Sequence, residues 1–371
     1  MKHSLRTLRP RRSILILAML LCMATAPAQT SQRLNAGKAS DYGMVYSLPL
    51  TAVDIYLQAE LTESQPGEFH NYARRHMDID NAITAGSRTA RLVDAVIVPR
   101  GIPDPAQQWL AQFKNGSNVF MTLTSDNIPL AINSDTEAHI EMPEIPQSTE
   151  FGATPLDGDI ARQAVTQDMA RSSSVSKKAE LAAQRIFEIR EMRSDILSGQ
   201  ADNMPSDGAA MQLVLDNLAA QEAALTAMFA GTTRSRTVTS KITLTPDSTG
   251  LSARTAARLS AVDGLLTPDD LSGEPIEVEI TVLEQGSLPV NDKGEIKSFP
   301  RGGVAYRIPG RARVDVRFRG NTIASREVAI AQLGVVFGLN PSLFSDKREP
   351  WQVIFNPDNG AVLELGPAQL Q

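Results

Sequence analysis

Two stretches of apolar residues spaced three and four apart lie in the middle of the chain, and most of what flanks them alternates in twos. From Ser176 to Leu197 the apolar positions are Ala179, Ala182, Ile186, Ile189 and Ile196, with Arg193 interrupting the stripe. From Gly208 to Phe229 they are Met211, Leu215, Leu218, Leu225 and Met228. That spacing gives each of two helices one apolar face. Between them, Gly199 follows the first helix, and Pro205 with Ser206 and Asp207 precedes the second. These are stop and start signals. A short connection makes consecutive helices antiparallel neighbours, so the pattern predicts a central helical hairpin.

Val53, Ile55, Leu57, Ala59 and Leu61 alternate with Asp54, Tyr56, Gln58 and Glu60, the signature of a half-buried strand. Val45 to Leu50 reads as an edge segment, because Pro49 cannot donate to a ladder. A short helix is expected from Pro66 through Tyr72 to Met77. Strand-like runs follow at Thr89–Val98, Gln108–Phe113, Val119–Thr124 and Ala138–Met142, with Gly101-Ile102-Pro103-Asp104-Pro105 as a stiff turn. Pro143 to Asp159 reads as a long connection. Past the helices, strands are expected at 237–245, 251–259, 276–283, 304–308, 312–318, 322–331, 334–337, 351–355 and 361–365. Two-residue turns are expected at Gly320-Asn321 and Asn359-Gly360. The fold class is therefore mainly β (α+β), two β regions flanking a central antiparallel helical hairpin. The expected boundaries are 44–171 for the N-terminal β region with its short helix, 172–231 for the hairpin and 232–371 for the C-terminal β region.

The start of the chain changes the compartment. Lys2, Arg6, Arg9, Arg11 and Arg12 precede an apolar run from Ile14 to Met23, followed by the small residues Ala26-Pro27-Ala28. This is the layout of a signal peptide over 1–28, with cleavage after Ala28 and a disordered leader over 29–43. Ten or so apolar residues are too few to span a bilayer comfortably, so no transmembrane span is expected in the mature chain. Removing residues 1–28 takes five basic and no acidic side chains, which leaves 31 basic against 42 acidic, a net charge of −11. An acidic chain without a basic arm is a poor partner for nucleic acid. Cys22 is the single cysteine and lies within the segment expected to be removed, so disulfides, thiolate metal sites and thiol catalysis leave with it. A lipidated Cys22 would need a small residue before it, where Leu21 stands.

The candidate chemistry is thin. His70 and His76 are six apart, which does not bring two ligands onto one helix face, and His139 with Glu141 lacks a third ligand. Asp247-Ser248-Thr249-Gly250 resembles an aspartic-protease signature with one residue inserted and reads better as a turn. No phosphate loop, dinucleotide fingerprint or nucleophile elbow is present, so neither a cofactor nor a catalytic residue is assigned. The candidate interaction residues are arginines. Arg311, Arg313, Arg317 and Arg319 are expected on one face of the 312–318 strand, opposite Ala312, Val314, Val316 and Phe318. They read either as a surface for an acidic glycan or lipid headgroup, or as a solvated face balanced by Asp315, Glu277 and Glu279. Arg190 and Arg193 form a second pair; Arg193 falls on the hairpin seam and requires a carboxylate or helix-end carbonyls there.

Several short motifs run collinearly along the chain. They include Val45-Tyr46-Ser47-Leu48-Pro49, Pro66-Gly67-Glu68-Phe69, Gly101-Ile102-Pro103-Asp104-Pro105, Ile189-Arg190 with Arg193, and Phe229-Ala230-Gly231. Later ones are Leu271-Ser272-Gly273-Glu274-Pro275, Tyr306-Arg307-Ile308-Pro309, Ala331-Gln332-Leu333-Gly334, and Phe355-Asn356-Pro357 with Gly360. In these the chain resembles an uncharacterised family of secreted bacterial proteins, domain of unknown function 4831, over about Val45 to Leu365. It departs at Val304-Ala305, where bulkier residues are expected, and at Gln332-Leu333, where an aromatic is commoner. The resemblance implies export to a Gram-negative envelope and supplies no reaction. The expected role is a non-catalytic binding or scaffolding component of the envelope, periplasmic or at the outer membrane, whose partner is an envelope protein or glycan. The alternative is a glycan-directed enzyme or carbohydrate-binding protein, which would need exposed aromatic platforms.

Overall fold

Strand β1 (Met44–Gln65) carries residues of two separate cores, and the rest of the fold is arranged around it. Its apolar residues from Val53 to Ala59 face one core, while Tyr46 and Leu48 face another. The computed structural model describes residues 44–111, 113, 119–135, 138–202, 208–346 and 348–368. The expected signal peptide, leader and Cys22, and part of the connection between the helices, lie outside the described residues. The protein is mainly β, with 45% strand and 22% helix, and its sheets are antiparallel.

The first sheet has the order β2-β1-β5, where β2 is Ser87–Ala111 and β5 is Thr232–Leu244. The second has the order β10-β9-β8-β6-β7. Here β6 is Leu251–Ser260, β7 Gly264–Leu266, β8 Glu274–Glu284, β9 Val304–Phe318 and β10 Asn321–Leu339. These two sheets pack face to face, with Ile55, Leu57 and Ile97 of one against Val278, Val314, Val316 and Ile330 of the other. Each such side chain, fully withdrawn from water, contributes roughly 1.5–3 kcal/mol. The third sheet, β12-β11-β4-β3, is formed by Val362–Pro367, Trp351–Phe355, Pro129–Ile132 and Met121–Leu123. It closes a second core over Tyr46, Leu48, Val304, Phe344 and Phe355. Two of the three sheets thus draw strands from both sides of the helical stretch.

One turn expected from the sequence is an in-strand feature. Gly101-Ile102-Pro103 does not reverse the chain; these residues pair with Thr51, Leu50 and Pro49, and the excess residues bulge out after them. The two prolines face each other where neither has an N–H to donate. The expected edge character of Val45–Leu50 matches the ladder, since β1 meets β5 only from Val53 onward. In the β9–β10 hairpin the turn is Arg319-Gly320, not Gly320-Asn321, with Phe318 opposite Asn321. Both turn residues have positive φ, 53° and 77°, the geometry that matches strand twist and that Gly320 tolerates freely. A shift between Thr322 and Ala324 then places Asp315 opposite Ser325 rather than Ala324. Ala138–Met142 forms no strand.

The short helix α1 (Ala73–Met77) follows a 3-10 turn at His70–Tyr72. Helices α2 (Asp159–Ala164) and α3 (Gln167–Arg171) lead into α4 (Val175–Ser198), and α5 is Gly208–Ala230. Ser174 caps α4 by accepting from Lys177 N, and Gly199 ends it in the left-handed conformation. Ala179, Ala182, Ile186, Ile189 and Ile196 are all buried, the apolar stripe of the sequence. Along α5 the burial is lopsided: Ala224, Leu225, Ala227 and Phe229 are buried, and nothing from Gly208 to Ala223 is. No described helix is long and apolar enough to cross a membrane.

Candidate functional site

The arginines of β9 are bound to carboxylates of the same sheet. Arg311 reaches Glu284 at 3.1 Å and Glu327 at 3.7 Å. Arg313 and Arg317 both lean on Asp315, at 3.2 and 3.5 Å, and Arg317 also meets Glu279 at 2.8 Å. Arg319 lies in the turn rather than on the strand face, and it grips both oxygens of Glu274. Asp315 is buried and also accepts from the Ser325 hydroxyl at 2.6 Å. Two guanidiniums and a hydroxyl compensate that buried charge, so the arginines have structural work on this face.

Arg190 and Arg193 converge on one acid that the sequence reading did not name. Arg190 Nε donates to Glu222 at 2.6 Å and Arg193 to the other oxygen at 2.5 Å, joining α4 to α5. Burial pushes the Glu222 carboxyl up, but the two guanidiniums outweigh it and hold it below the usual range. Beyond this clamp the helices show apolar side chains to solvent, with Leu197 67% and Leu213 72% exposed, accompanied by Val214.

Four of the sequence motifs, Gly101–Pro105, Tyr306–Pro309, Ala331–Gly334 and Phe355–Gly360, meet in one buried polar junction. The bulge after Pro103 turns Asp104 inward, where it accepts from Arg307 of β9 at 2.6 Å and from Ala106 N at 2.9 Å. A second bulge, in β10 between Ile330 and Val335, brings Gln332 against Thr51 of β1. Its amide accepts from Thr51 N at 2.9 Å and donates to Thr51 O at 2.8 Å. The loop after Phe355 completes the contact, with Thr51 Oγ1 donating to Asp358 O at 2.8 Å and Gly101 N to Asp358 Oδ1 at 3.1 Å. A Cβ on Gly101 would sit 2.0 Å from Pro357 O, so only glycine fits there. The family model described as "Domain of unknown function (DUF4831)" matches residues 42–363.

The chain belongs to that family. No curated protein and no solved structure matches it. In this DUF4831 protein those four motifs serve the joint where the three sheets meet. Among the described residues no group of three or more His, Cys, Asp or Glu is placed to hold a metal ion. His70 Nδ1 lies 2.8 Å from the carbonyl of Gly67. Asp247 closes a local turn by accepting from Thr249 N at 2.7 Å.

One open site of the DUF4831 fold escaped the sequence reading. Past Ala59, the core-side face of β1 continues with Leu61 and Glu63. Across the ladders Glu63 faces Arg88 and Arg234, and Leu61 faces Arg236. A cleft of about 440 Å³ opens there, lined also by Phe151 and Asp263. Phe151 arrives on the Pro143–Asp159 connection, which is pinned to the β5 edge by Thr149 N donating to Thr237 O at 2.9 Å and Thr239 N to Ser148 Oγ at 2.9 Å. The Arg234 and Arg236 guanidinium carbons lie 4.7 and 4.8 Å from the centre of its ring. Arg-Ser-Arg on β5 gave the period of the site, but neither Glu63 nor Phe151 is near in sequence.

Proposed function

We propose that the protein is a non-catalytic binding or scaffolding component of the bacterial cell envelope, periplasmic or at the outer membrane, that docks an envelope protein on its helical pair. In this reading α4 and α5 form the antiparallel hairpin that separates two β regions in sequence, held at its base. The observation that carries it is the unburied half of α5, where Leu213 is 72% and Val214 39% exposed. Leu197 of α4, 67% exposed, is a further apolar side chain open to solvent, and exposed apolar surface is what an association site would use. The base is fixed by Phe69 N donating to Met228 O at 2.7 Å and by the Phe69 and Phe229 rings, 5.4 Å apart. Export rests on the basic n-region, apolar run and Ala26-Pro27-Ala28, and on what the family resemblance implies.

The aromatic residues speak against a glycan platform. Trp109 stacks on Phe299 at 5.7 Å with 17° between the rings, and Trp351 packs against the second core. A photo-crosslinking residue at Leu213, in cells of the native host, tests the docking face. A discrete adduct with an envelope protein at Leu213, absent from the equally exposed Leu271, is the expected result. No adduct, or the same ladder from both positions, overturns the reading.

A further inference from the structure

The cleft beside Phe151 is lined by three arginines, Arg88, Arg234 and Arg236, against the two acids Glu63 and Asp263, and Asp157 of the same connection lies close enough to Arg234 to feel its charge. Arg88 and Arg234 share one carboxylate, Glu63, at 2.7 and 3.0 Å. Arg236 makes no ion pair among the described residues, and its Nε is shielded from solvent without a hydrogen-bond partner. The other acid of the cleft, Asp263, accepts from the Ser260 hydroxyl at 2.9 Å. The contrast with β9 is informative: all four arginines there have an acid within 4.0 Å. A half-buried guanidinium left with an unmatched donor is costly unless an anion reaches it.

We propose that this cleft binds a small ligand bearing an oxyanion, with Arg236 as principal contact, Arg234 beside it and Phe151 as the apolar wall. A guanidinium fork fits the two-oxygen edge of a carboxylate or a phosphate. The volume of about 440 Å³ suits one ligand of sugar-acid or sugar-phosphate size. Both guanidiniums already lie against Phe151, so the fork is preoriented and less conformational entropy is lost on binding. The proposal stands apart from the helical docking face, which shares none of these residues.

The test is calorimetric titration of the full mature chain with galacturonate and with glucose 6-phosphate, at constant ionic strength set with sodium chloride, with glucose as neutral control. Binding of at least one of the two acids is expected, and glucose should give none. Galacturonate alone identifies a carboxylate site, and glucose 6-phosphate alone a phosphate site. Arg236→Gln should weaken binding about tenfold or more, the loss of a charge-assisted pair. Glu63→Gln, which releases Arg88 and Arg234 from their carboxylate, should tighten it. That gain is one that a purely structural charge cluster would not show. Thermal midpoints establish that each variant is folded. The proposal is overturned if neither acid binds above the chloride background, if glucose binds equally, if folded Arg236→Gln binds like the wild type, or if folded Glu63→Gln binds no more tightly.

Discussion

Arg307 and Asp104, 203 residues apart in the chain, meet at 2.6 Å with both side chains buried. Burial pulls the guanidinium below its ordinary range, and Asp104 offsets that only in part. Removing one partner leaves an uncompensated charge in the interior. Arg307→Met should therefore cost about 3–5 kcal/mol. Adding Asp104→Asn to that variant should recover part of the loss, because the amide oxygen still accepts from Ala106 N and carries no charge. Urea denaturation of both variants measures it; equal losses in the single and double variants would show that charge is not the cause.

Two aspartates should answer acid in opposite ways. Asp54 is buried, which raises its carboxyl, but hydrogen bonds from Lys241, Thr243 and Arg100 outweigh burial and hold it below the usual carboxylate range. An acid held lower in the folded state stabilises the fold above its unfolded pKa. That stability is lost as pH falls through the folded value. Burial raises Asp358, so its contribution is lost instead as pH rises through its folded value. At pH 7, Asp54→Asn should lower the thermal midpoint, whereas Asp358→Asn, which keeps an acceptor for Gly101 N, should leave it unchanged or higher. Midpoints between pH 3 and pH 8 decide the matter.

The helix clamp and the helix seam should differ in weight. Ile186 is fully buried, and Ile186→Ala should cost about 2–5 kcal/mol. Glu222→Gln, at a clamp whose guanidiniums are 46% and 36% exposed, should cost about 1 kcal/mol. A loss below half a kcal/mol at Ile186, on the same scale as the roughly 1 kcal/mol expected of a partly exposed pair, would show that the stripe does not carry the packing.

On β9 the arginines should behave as structural residues. Arg313→Glu with Arg317→Glu places two more carboxylates beside buried Asp315, and the thermal midpoint should fall sharply. Should the double variant keep its midpoint and lose a binding partner, the face is an interaction surface after all.

What the sequence made legible was set by local periodicity. The α4 stripe is visible because Ala179, Ala182, Ile186 and Ile189 repeat at helical steps, and burial follows them one for one. The β1 alternation is visible for the same reason. The bulges were not legible: Pro103 and Pro105 carry the signature of a turn, and only the ladder with Pro49 shows the chain continuing. Glu222 escaped because an ion pair across two helices leaves no spacing to read. The cleft escaped because Glu63, Phe151 and Arg236 come from three separated segments, and Phe151 sits in a connection with no period of its own.

Strand β1 cannot gain its second neighbour until residue 232 has been made, and β4 has no β11 to pair with until residue 351. The nascent chain therefore carries β1 open on one side from residue 65 to residue 232. Closing such distant ladders is slow, since the entropy of large loops is lost before any pairing rewards it. A polypeptide whose two cores stay incomplete until β10 and β11 have been made remains threadable for that much of its length.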